Sequence, residues 1–273
     1  MARLRLLWRR GLILGLGIFT VWLIVFVIFR FTDHRLPWIL ALGVTYGVAA
    51  YVVLPRIIRL GVKVLKKTTV PDYTITGDGL PGDPVNLALI GTLAQLKAAF
   101  ASMGWAEADA LGWRSSWGMI RAFVLNKPYP KAPFSTLYLF GRAQDIGFQK
   151  PIGDSPRQRH HIRFWSLSAS RAQSTLGTPD FWLNTDRAPD GDKALWVGAA
   201  TRDTGLSLTW LSFQVTHATD PDTMAERDLV ISQLAAGKLI DKITRYDDSK
   251  DLPAKRLNHY AFDGDVSIAT LVT

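Results

Sequence analysis

Two long apolar stretches near the N-terminus constrain the fold of this 273-residue chain more than any other feature. Residues 11–29 are apolar except for Thr20, and residues 36–54 contain no charged side chain. Each stretch is close to the ~20 residues that a helix needs to cross the hydrocarbon core of a bilayer. The sequence therefore predicts two transmembrane helices joined by a short turn.

The first stretch follows basic residues, as the apolar region of a signal peptide does. It is longer than such a region usually is, and no small-x-small cleavage site precedes Arg30. These two features favour a retained anchor over a cleaved signal peptide.

The charges that flank the two stretches predict the orientation of the hairpin. The basic flanks are Arg3, Arg5, Arg9 and Arg10 before the first stretch and Arg56, Arg59, Lys63, Lys66 and Lys67 after the second. The titratable residues of the connecting turn are only Arg30, Asp33, His34 and Arg35, and basic residues stay on the cytoplasmic side. We therefore expect a plasma (inner) membrane protein with both termini in the cytoplasm and the lipid bilayer as a partner.

The formal net charge of +9 comes from this N-terminal part of the chain. Residues 1–67 contain eleven Lys or Arg and one acid, whereas residues 68–273 contain twenty-one Lys or Arg and twenty-two acids. A nucleic-acid-binding domain carries its basic excess on its folded part, so nucleic acid is not an expected partner. The absence of cysteine excludes disulfides and thiolate metal sites.

The chain after the hairpin is predicted to be a linker, at residues 68–84, followed by one folded domain, at residues 85–273. The linker assignment rests on six turn-forming residues: Pro71, Gly77, Gly79, Pro81, Gly82 and Pro84. Helices are predicted at residues 92–102, 113–125 and 221–236, with Thr92 and Asp220 as N-caps. Strands are predicted at residues 85–90, 136–140, 145–149, 155–167, 194–201, 206–216, 238–246 and 266–272.

The connections between these strands set the predicted fold class. Residues 141–144 and 202–205 are interpreted as hairpin turns, and residues 170–192 as a loop. Strands in sequential pairs with about three helices indicate an α+β domain with a largely antiparallel sheet, preceded by the transmembrane hairpin. Seven tryptophans of this domain are interpreted as core or rim residues: Trp105, Trp113, Trp117, Trp165, Trp182, Trp196 and Trp210.

The segment SPRQRHHIRFW, residues 155–165, concentrates cationic side chains on one face of a predicted strand. Side chains alternate between the faces of a strand, so Arg159, His161 and Arg163 share one face with Arg157 and Trp165. His160 lies on the other face with Ile162 and Phe164, and we interpret it as a core histidine.

A predicted helix supplies acidic partners for this cationic face. His217 precedes the helix, and Asp228 falls on its apolar side beside Met224 and Ile231. A carboxylate on an apolar face needs a partner. The expected partners are Arg159, His161 or Arg163 on the strand, or Arg202 in the predicted turn.

Three interpretations of these residues remain open. The first is structural, with acids and arginines paired to fix the helix on the sheet. The second is an anion site in which Arg159, His161, Arg163 and Arg202 bind a phosphate. The third is a catalytic or metal site that uses His161 and His217 as acid or base and Asp228 as the orienting group. No HExxH or similar metal spacing is present, no metal is expected, and the pattern indicates no particular cofactor.

Five segments of the domain, in order, are similar to a known family: GDPVNLALIGT, KPYPKAPFSTLYLFGRAQDIGFQK, SPRQRHHIRFW, WVGAATRDTGL and THATDPDTMAERD. Together they resemble the LssY C-terminal domain family over about residues 81–272. In that family the domain often follows a multi-span module of the phosphatidic-acid-phosphatase type or one resembling DedA proteins. This chain has two predicted spans and none of the phosphatase signature residues. The resemblance therefore implies a membrane setting and a link to lipid-phosphate metabolism, but no reaction.

These observations lead to three hypotheses of function. The first is a membrane-anchored domain that binds a phosphorylated lipid, a small phosphate or a membrane partner through the Arg/His strand face. The second is a phosphoester hydrolase with acid–base or metal chemistry. The third is a structural scaffold for another membrane protein.

Overall fold

The fold was determined from a computed structural model that describes residues 2–64, 71–77, 79–125, 127–153, 157–167, 191–208, 215–247, 260 and 263–272. The predicted α+β class is confirmed, with antiparallel-rich sheets after an N-terminal pair of apolar helices. The predicted loop at residues 170–192 lies almost wholly outside the described residues, as do Trp182 and Trp210.

The N-terminal part forms two continuous helical rods. The first consists of α1 (Ala2–Trp22), a π-helical segment (Leu23–Phe29) and α2 (Arg30–Asp33). The second consists of α3 (Trp38–Val48), a π-helical segment (Ala49–Val53) and α4 (Leu54–Val64). Gly11–Asp33 and Trp38–Ile58 are each long and apolar enough to cross a membrane.

A hydrogen bond between hydroxyl groups joins these two rods. Thr32 Oγ1 lies 3.0 Å from Thr45 Oγ1, and both side chains are buried. In an apolar environment a hydroxyl needs such a partner, so this pair fixes one helix against the other.

The main sheet has eight strands, of which seven run in the spatial order β11-β12-β3-β9-β8-β7-β4, with β10 paired to β9. The pair β12 and β3 is parallel, and the other pairs are antiparallel. Its strands are β3 (Leu87–Gly91), β4 (Ala106–Glu107), β7 (Ile146–Pro151), β8 (Arg159–Leu167), β9 (Ala194–Leu208), β10 (Val215–Thr219), β11 (Thr244–Asp247) and β12 (Asp265–Thr270).

Each face of the main sheet contributes to a different apolar core. One face packs on α5 (Leu93–Ser102) and α7 (Thr223–Ala236), through residues such as Phe100, Phe164 and Leu234. The other face contributes Trp165 and Val197 to a second cluster. Because side chains alternate between the two faces of β8, Phe164 packs against the helices and Trp165 packs against the layer on the other side of the sheet.

The opposite layer is a small sheet in the order β2-β1-β5-β6. Its strands are β1 (Tyr73–Ile75), β2 (Pro81–Pro84), β5 (Tyr138–Leu139) and β6 (Arg142–Ala143). The segment predicted as a linker therefore supplies two strands and buries Thr74 and Asp83. The Pro and Gly content suggested an irregular chain, but these residues also occur in short edge strands. Composition alone therefore does not distinguish the two.

Both predicted hairpin turns are wrong. Residues 138–143 form their own tight hairpin, whose turn residues Phe140 and Gly141 have φ of 54° and 74°, and β7 joins the main sheet instead. Residues 202–205 continue β9, because Arg202 and Asp203 pair with His160 and Arg159 of β8. Cross-strand pairing overrides the turn preference of a short Arg-Asp-Thr-Gly sequence.

The helix ends follow the local capping chemistry. Thr92 is the N-cap of α5, as predicted, and it forms a reciprocal capping box with Gln95. Helix α6 (Trp113–Val124) ends close to its predicted limit. Helix α7 is capped by Asp222, whose side chain accepts from the Ala225 amide, whereas the predicted cap, Asp220, accepts from the Asp222 amide in the preceding turn.

Candidate functional site

Strand β8 presents the predicted cations on one face and buries them. Arg159, His161 and Arg163 are 1%, 1% and 6% exposed. Their cross-strand neighbours on β9 are Asp203, Thr201 and Ala199. The opposite neighbours on β7 are Pro151, Gln149 and Gly147. These three side chains thus lie in the interior with small or polar neighbours, and we call them, with Asp83 and Asp203, the buried ion cluster.

Arg159 is fixed by three different acceptors. Its Nε donates to Asp203 Oδ2 at 2.7 Å, and its Nη1 donates to Gln149 Oε1 and to the Ala132 carbonyl. Burial lowers the pKa of Arg159, and Asp203 opposes that shift. The guanidinium remains charged, because an arginine does not lose its proton in proteins.

Arg163 is paired with a carboxylate from the small sheet. Its Nη1 donates to Asp83 Oδ2 at 2.5 Å, and the Tyr260 hydroxyl donates to Asp83 Oδ1 at 2.8 Å. Burial alone would raise the pKa of Asp83, but the Arg163 charge, together with the hydrogen bond from Tyr260, lowers it to about 2. Burial and the Asp83 charge raise the pKa of Tyr260 well above its ordinary value, so Tyr260 stays a donor.

His161 lies at the centre of the buried ion cluster. Its Nε2 is 2.7 Å from Arg163 Nη1 and 2.8 Å from Thr201 Oγ1. An arginine can only donate, so Nε2 accepts, and the proton of a neutral imidazole is on Nδ1. Nδ1 lies 3.3 Å from Asp203 Oδ1, close enough for electrostatic attraction but without hydrogen-bond geometry.

Three buried donors in this cluster have no hydrogen-bond partner among the described residues. They are Nη2 of Arg159, Nε of Arg163 and Nδ1 of His161. A buried N–H group without a partner is costly, so such groups usually contact a water, an ion or a ligand. The concentration of three on one strand face is the most informative feature of the site.

An aromatic ring covers the cluster on one side. The Phe134 ring lies 4.8 Å from the Arg159 guanidinium carbon and 4.9 Å from that of Arg163, and it packs beside the His161 ring. A Cβ at position 147 would lie 2.3 Å from Phe134 Cε2, so Gly147 provides the space for this ring. Cations stacked on an aromatic face gain stability when they are withdrawn from water.

The opposite face of β8 carries a different ion pair. His160 Nδ1 lies 2.9 Å from Glu226 Oε2 of α7, so the predicted core histidine is half-buried and paired with a carboxylate. Arg202 is directly across from His160 and is exposed. The structure therefore places Arg202 on the sheet face opposite to Arg159, His161 and Arg163.

The predicted contact between Asp228 and the strand cations is wrong. Asp228 is 54% exposed, and it accepts from Nε of its neighbour Arg227 at 2.9 Å. Arg227 itself is buried and donates to both oxygens of Asp263. The helical-wheel prediction failed because Arg227, and not Asp228, points toward the sheet. The side chain of His217 lies outside the described residues.

Sequence reasoning missed Asp83, Asp203, Gln149, Thr201 and Tyr260. Asp83 and Asp203 were hidden because their segments were interpreted as linker and turn. The available signal was strand parity, since Thr201 and Asp203 alternate along one continuous strand with the parity of Arg159 and His161. No group of three or more His, Cys, Asp or Glu that could bind a metal occurs within the described residues.

These observations define an α+β domain with a buried ion cluster between two sheets, preceded by two helices able to span a membrane. The sequence of residues 67–266, well over half of the chain, matches the family described as LssY C-terminus. The chain belongs to that family, as the segment resemblance indicated. Comparisons with curated proteins and with solved structures each return no match.

Proposed function

We propose that this protein is a membrane-anchored domain that binds a phosphorylated group through Arg159, His161 and Arg163. The observation that carries the proposal is the set of three buried N–H donors without partners in the described part of the chain. Phosphate oxygens only accept hydrogen bonds, and guanidinium groups match their geometry. A phosphate would satisfy the donors that the protein leaves unpaired.

The charge balance of the cluster limits which ligands fit. Asp83 and Asp203 already neutralise the two guanidinium groups. A highly charged anion would therefore add uncompensated charge to the interior, which is costly. A phosphodiester or a singly charged phosphate is favoured, and the headgroup of a phospholipid belongs to this class.

The closed geometry requires a side chain to move before a ligand enters. Phe134 and Tyr260 lie against the cluster and are 4% and 8% exposed. Tyr260 is held by hydrogen bonds to Asp83 and Thr219. Displacement of one of these rings would expose the donors of Arg163 and Arg159.

The two apolar helices support membrane anchoring. Their basic flanks favour the plasma (inner) membrane with both termini in the cytoplasm. In that arrangement the domain lies beside phospholipid headgroups. The family resemblance, which hints at lipid-phosphate metabolism, agrees with a ligand of this kind.

The experiment compares two arginines on opposite faces of the sheet. The full chain in nonionic detergent is titrated calorimetrically at about pH 6 with inorganic phosphate, which is then mainly singly charged, and with short-chain phosphatidylglycerol, a phosphodiester. Arg163→Lys keeps the charge opposite Asp83 but removes the guanidinium fork, and we expect affinity to fall at least about tenfold. Arg202→Ala, the matched control, should bind as the unaltered chain does.

Two results would overturn the proposed site. One is loss of binding in Arg202→Ala with binding retained in Arg163→Lys, which would locate the ligand on the other sheet face. The other is absence of binding by the unaltered chain to either probe. A thermal unfolding measurement on Arg163→Lys separates loss of the site from loss of the fold.

One contact favours a second candidate function, phosphoester hydrolysis. Thr201 Oγ1, the His161 imidazole and Asp203 form a hydroxyl–imidazole–carboxylate series, the arrangement of a nucleophile, base and orienting group. Arg163 also donates to Nε2, which competes for the lone pair that a general base uses. In this alternative Asp203 takes the role that the sequence had assigned to Asp228.

A phosphatase substrate panel, with and without divalent metals, tests the hydrolase alternative. Activity that disappears in His161→Asn and persists in Arg202→Ala would support it. Activity that survives His161→Asn would remove His161 from the mechanism. If neither binding nor turnover occurs, a scaffold for another membrane protein is the third candidate, and affinity purification from membranes would identify its partner.

A further inference from the structure

Helix α6 (Trp113–Val124) exposes large apolar side chains, whereas an ordinary surface helix turns such side chains toward the core. Trp113, Trp117 and Ile120 are 90%, 66% and 54% exposed. At 100° per residue they lie within an arc of about 60°. The expectation that these tryptophans are core or rim residues is wrong for Trp113 and Trp117, and correct for the buried Trp105, Trp165 and Trp196.

Two small residues, Gly118 and Ala122, lie on the side of α6 away from this stripe. Ala122 is buried, and a Cβ at position 118 would lie 3.2 Å from Tyr129, so Gly118 lies against that ring. Tyr129 is in turn held by a hydrogen bond to Asp109 at 2.7 Å. The large apolar groups of the stripe therefore point away from the side of α6 that carries the buried Ala122 and approaches Tyr129.

Exposed cationic side chains occur on α6 and in the segment that follows it. Residues 111–141 contain Arg114, Arg121, Lys127 and Lys131 and no acid, although residues 68–273 as a whole are slightly acidic. All four basic side chains are exposed. Arg114 and Arg121 lie along one edge of the stripe, at about 80° to 100° from Trp113.

We propose that α6 lies on the surface of the membrane that the hairpin spans, with Trp113, Trp117 and Ile120 inserted at the level of the headgroups. A helix with an apolar face bearing Trp and basic flanks is suited to an anionic interface. Tryptophan prefers this interface because its ring is apolar and its N–H is polar. Arginine and lysine at the surface add attraction to anionic lipids.

The short connection between α4 and β1 keeps helix α6 close to the bilayer. Eight residues, and therefore nine Cα–Cα steps, connect Val64, the end of α4, to Tyr73, the start of β1. At about 3.5 Å per residue, this connection spans at most about 32 Å. The domain is thus confined near the membrane, and a weak surface interaction becomes effective because its local concentration is high.

This inference shares only the membrane anchor with the proposed function, so phosphate binding can fail without affecting it. The absence of cysteine allows one spin label at one chosen position. The full chain with Ile120→Cys is reconstituted into vesicles of phosphatidylglycerol and phosphatidylcholine in equal amounts. The matched control is Ala235→Cys, an exposed position on α7.

The readout is accessibility of the label to oxygen, which concentrates in lipid, and to a nickel complex, which stays in water. We expect the label at position 120 to collide several-fold more with oxygen than with nickel, and the label at position 235 to show the reverse. Trp113→Ser with Trp117→Ser should return the label at position 120 to water. Because both tryptophans are exposed, the thermal stability of this variant should not change.

The lipid dependence separates electrostatic attraction from apolar insertion. Arg114→Glu and Arg121→Glu should each weaken surface binding about fivefold or more in anionic vesicles, and much less in pure phosphatidylcholine. Equal accessibility at positions 120 and 235 would overturn the proposal. Spin–spin broadening at position 120 with protection from both reagents would also overturn it, in favour of contact with a second copy of the chain.

Discussion

Asp83 is the residue on which the charge balance of the buried ion cluster depends. It accepts from Arg163 and from Tyr260 and comes from a short strand of the small sheet. A single carboxylate thus connects the two sheets and neutralises a buried cation. Removal of such a partner leaves an uncompensated charge in the interior, which costs about 3 kcal/mol or more.

The lowered pKa of Asp83 predicts a loss of stability in acid. Burial opposes the shift, but Arg163 and Tyr260 lower the pKa from 3.8 to about 2. The stabilisation is therefore complete above about pH 4 and is lost as the pH falls through about 2. It amounts to about 2 kcal/mol, from 1.36 kcal/mol per pH unit. Thermal unfolding of the full chain in nonionic detergent between pH 5 and pH 2 measures it.

Asp83→Asn is the matching variant for this titration. It should be less stable at pH 5 and should lose less further stability in acid than the unaltered chain. An equal acid-induced loss in both proteins would show that other carboxylates dominate the transition.

Gly147 is a second residue whose role is local and testable. Gly147→Ala would place a methyl group against the Phe134 ring, which covers Arg159 and Arg163. We expect a loss of about 1–3 kcal/mol, as for other overpacked cores. Gly205→Ala on β9 is the control, because a Cβ there meets nothing within 4 Å. Equal stability of the two variants would contradict the packing described for Phe134.

At the scale of elements, α7 is fastened to the main sheet by Arg227 rather than by Asp228. Arg227 donates to Asp263 and to the Asp265 carbonyl at the start of β12. Burial lowers the pKa of Arg227, and its contacts with Asp228 and Asp263 raise it by more. His160 and Glu226 form a second connection, between β8 and the first turn of α7.

Adjacent substitutions on α7 should therefore differ strongly. Arg227→Met should cost about 1–2 kcal/mol, because Asp263 and the Asp265 carbonyl lose a donor, although the Asp263 carboxylate can be partly hydrated. Asp228→Asn should change stability by no more than about 0.5 kcal/mol, because an exposed ion pair contributes little. Denaturant unfolding followed by tryptophan fluorescence compares them. A larger effect of Asp228→Asn than of Arg227→Met would support the pairing of Asp228 with the strand cations that the sequence suggested.

At the scale of the whole molecule, the basic flanks predict that the domain and both termini are cytoplasmic. Single-cysteine variants at His34, in the turn between the helices, and at Ala235, in the domain, test this orientation. A membrane-impermeant thiol reagent applied to spheroplasts should label position 34, and position 235 only after lysis. Labelling of position 235 in intact spheroplasts would contradict this orientation and show that the domain lies outside the cytoplasm.

Much of the element plan could be predicted from the sequence, because it depends on local chemistry. The apolar lengths of the two helical rods, the N-cap at Thr92 and the alternation along β8 all act over a few residues. The partners of those elements depend on residues far apart in the chain. Asp83 and Tyr260 meet although 177 residues separate them, and no local pattern encodes that contact.

The sequence by itself determined that two apolar helices precede an α+β domain and that Arg159, His161 and Arg163 share one strand face. Only the tertiary structure decided that this face is buried, that Asp83 and Asp203 rather than Asp228 neutralise it, and that Arg202 lies on the other side. The physical reason is that side-chain direction follows from local backbone geometry, whereas burial and ion pairing depend on which distant strands become neighbours.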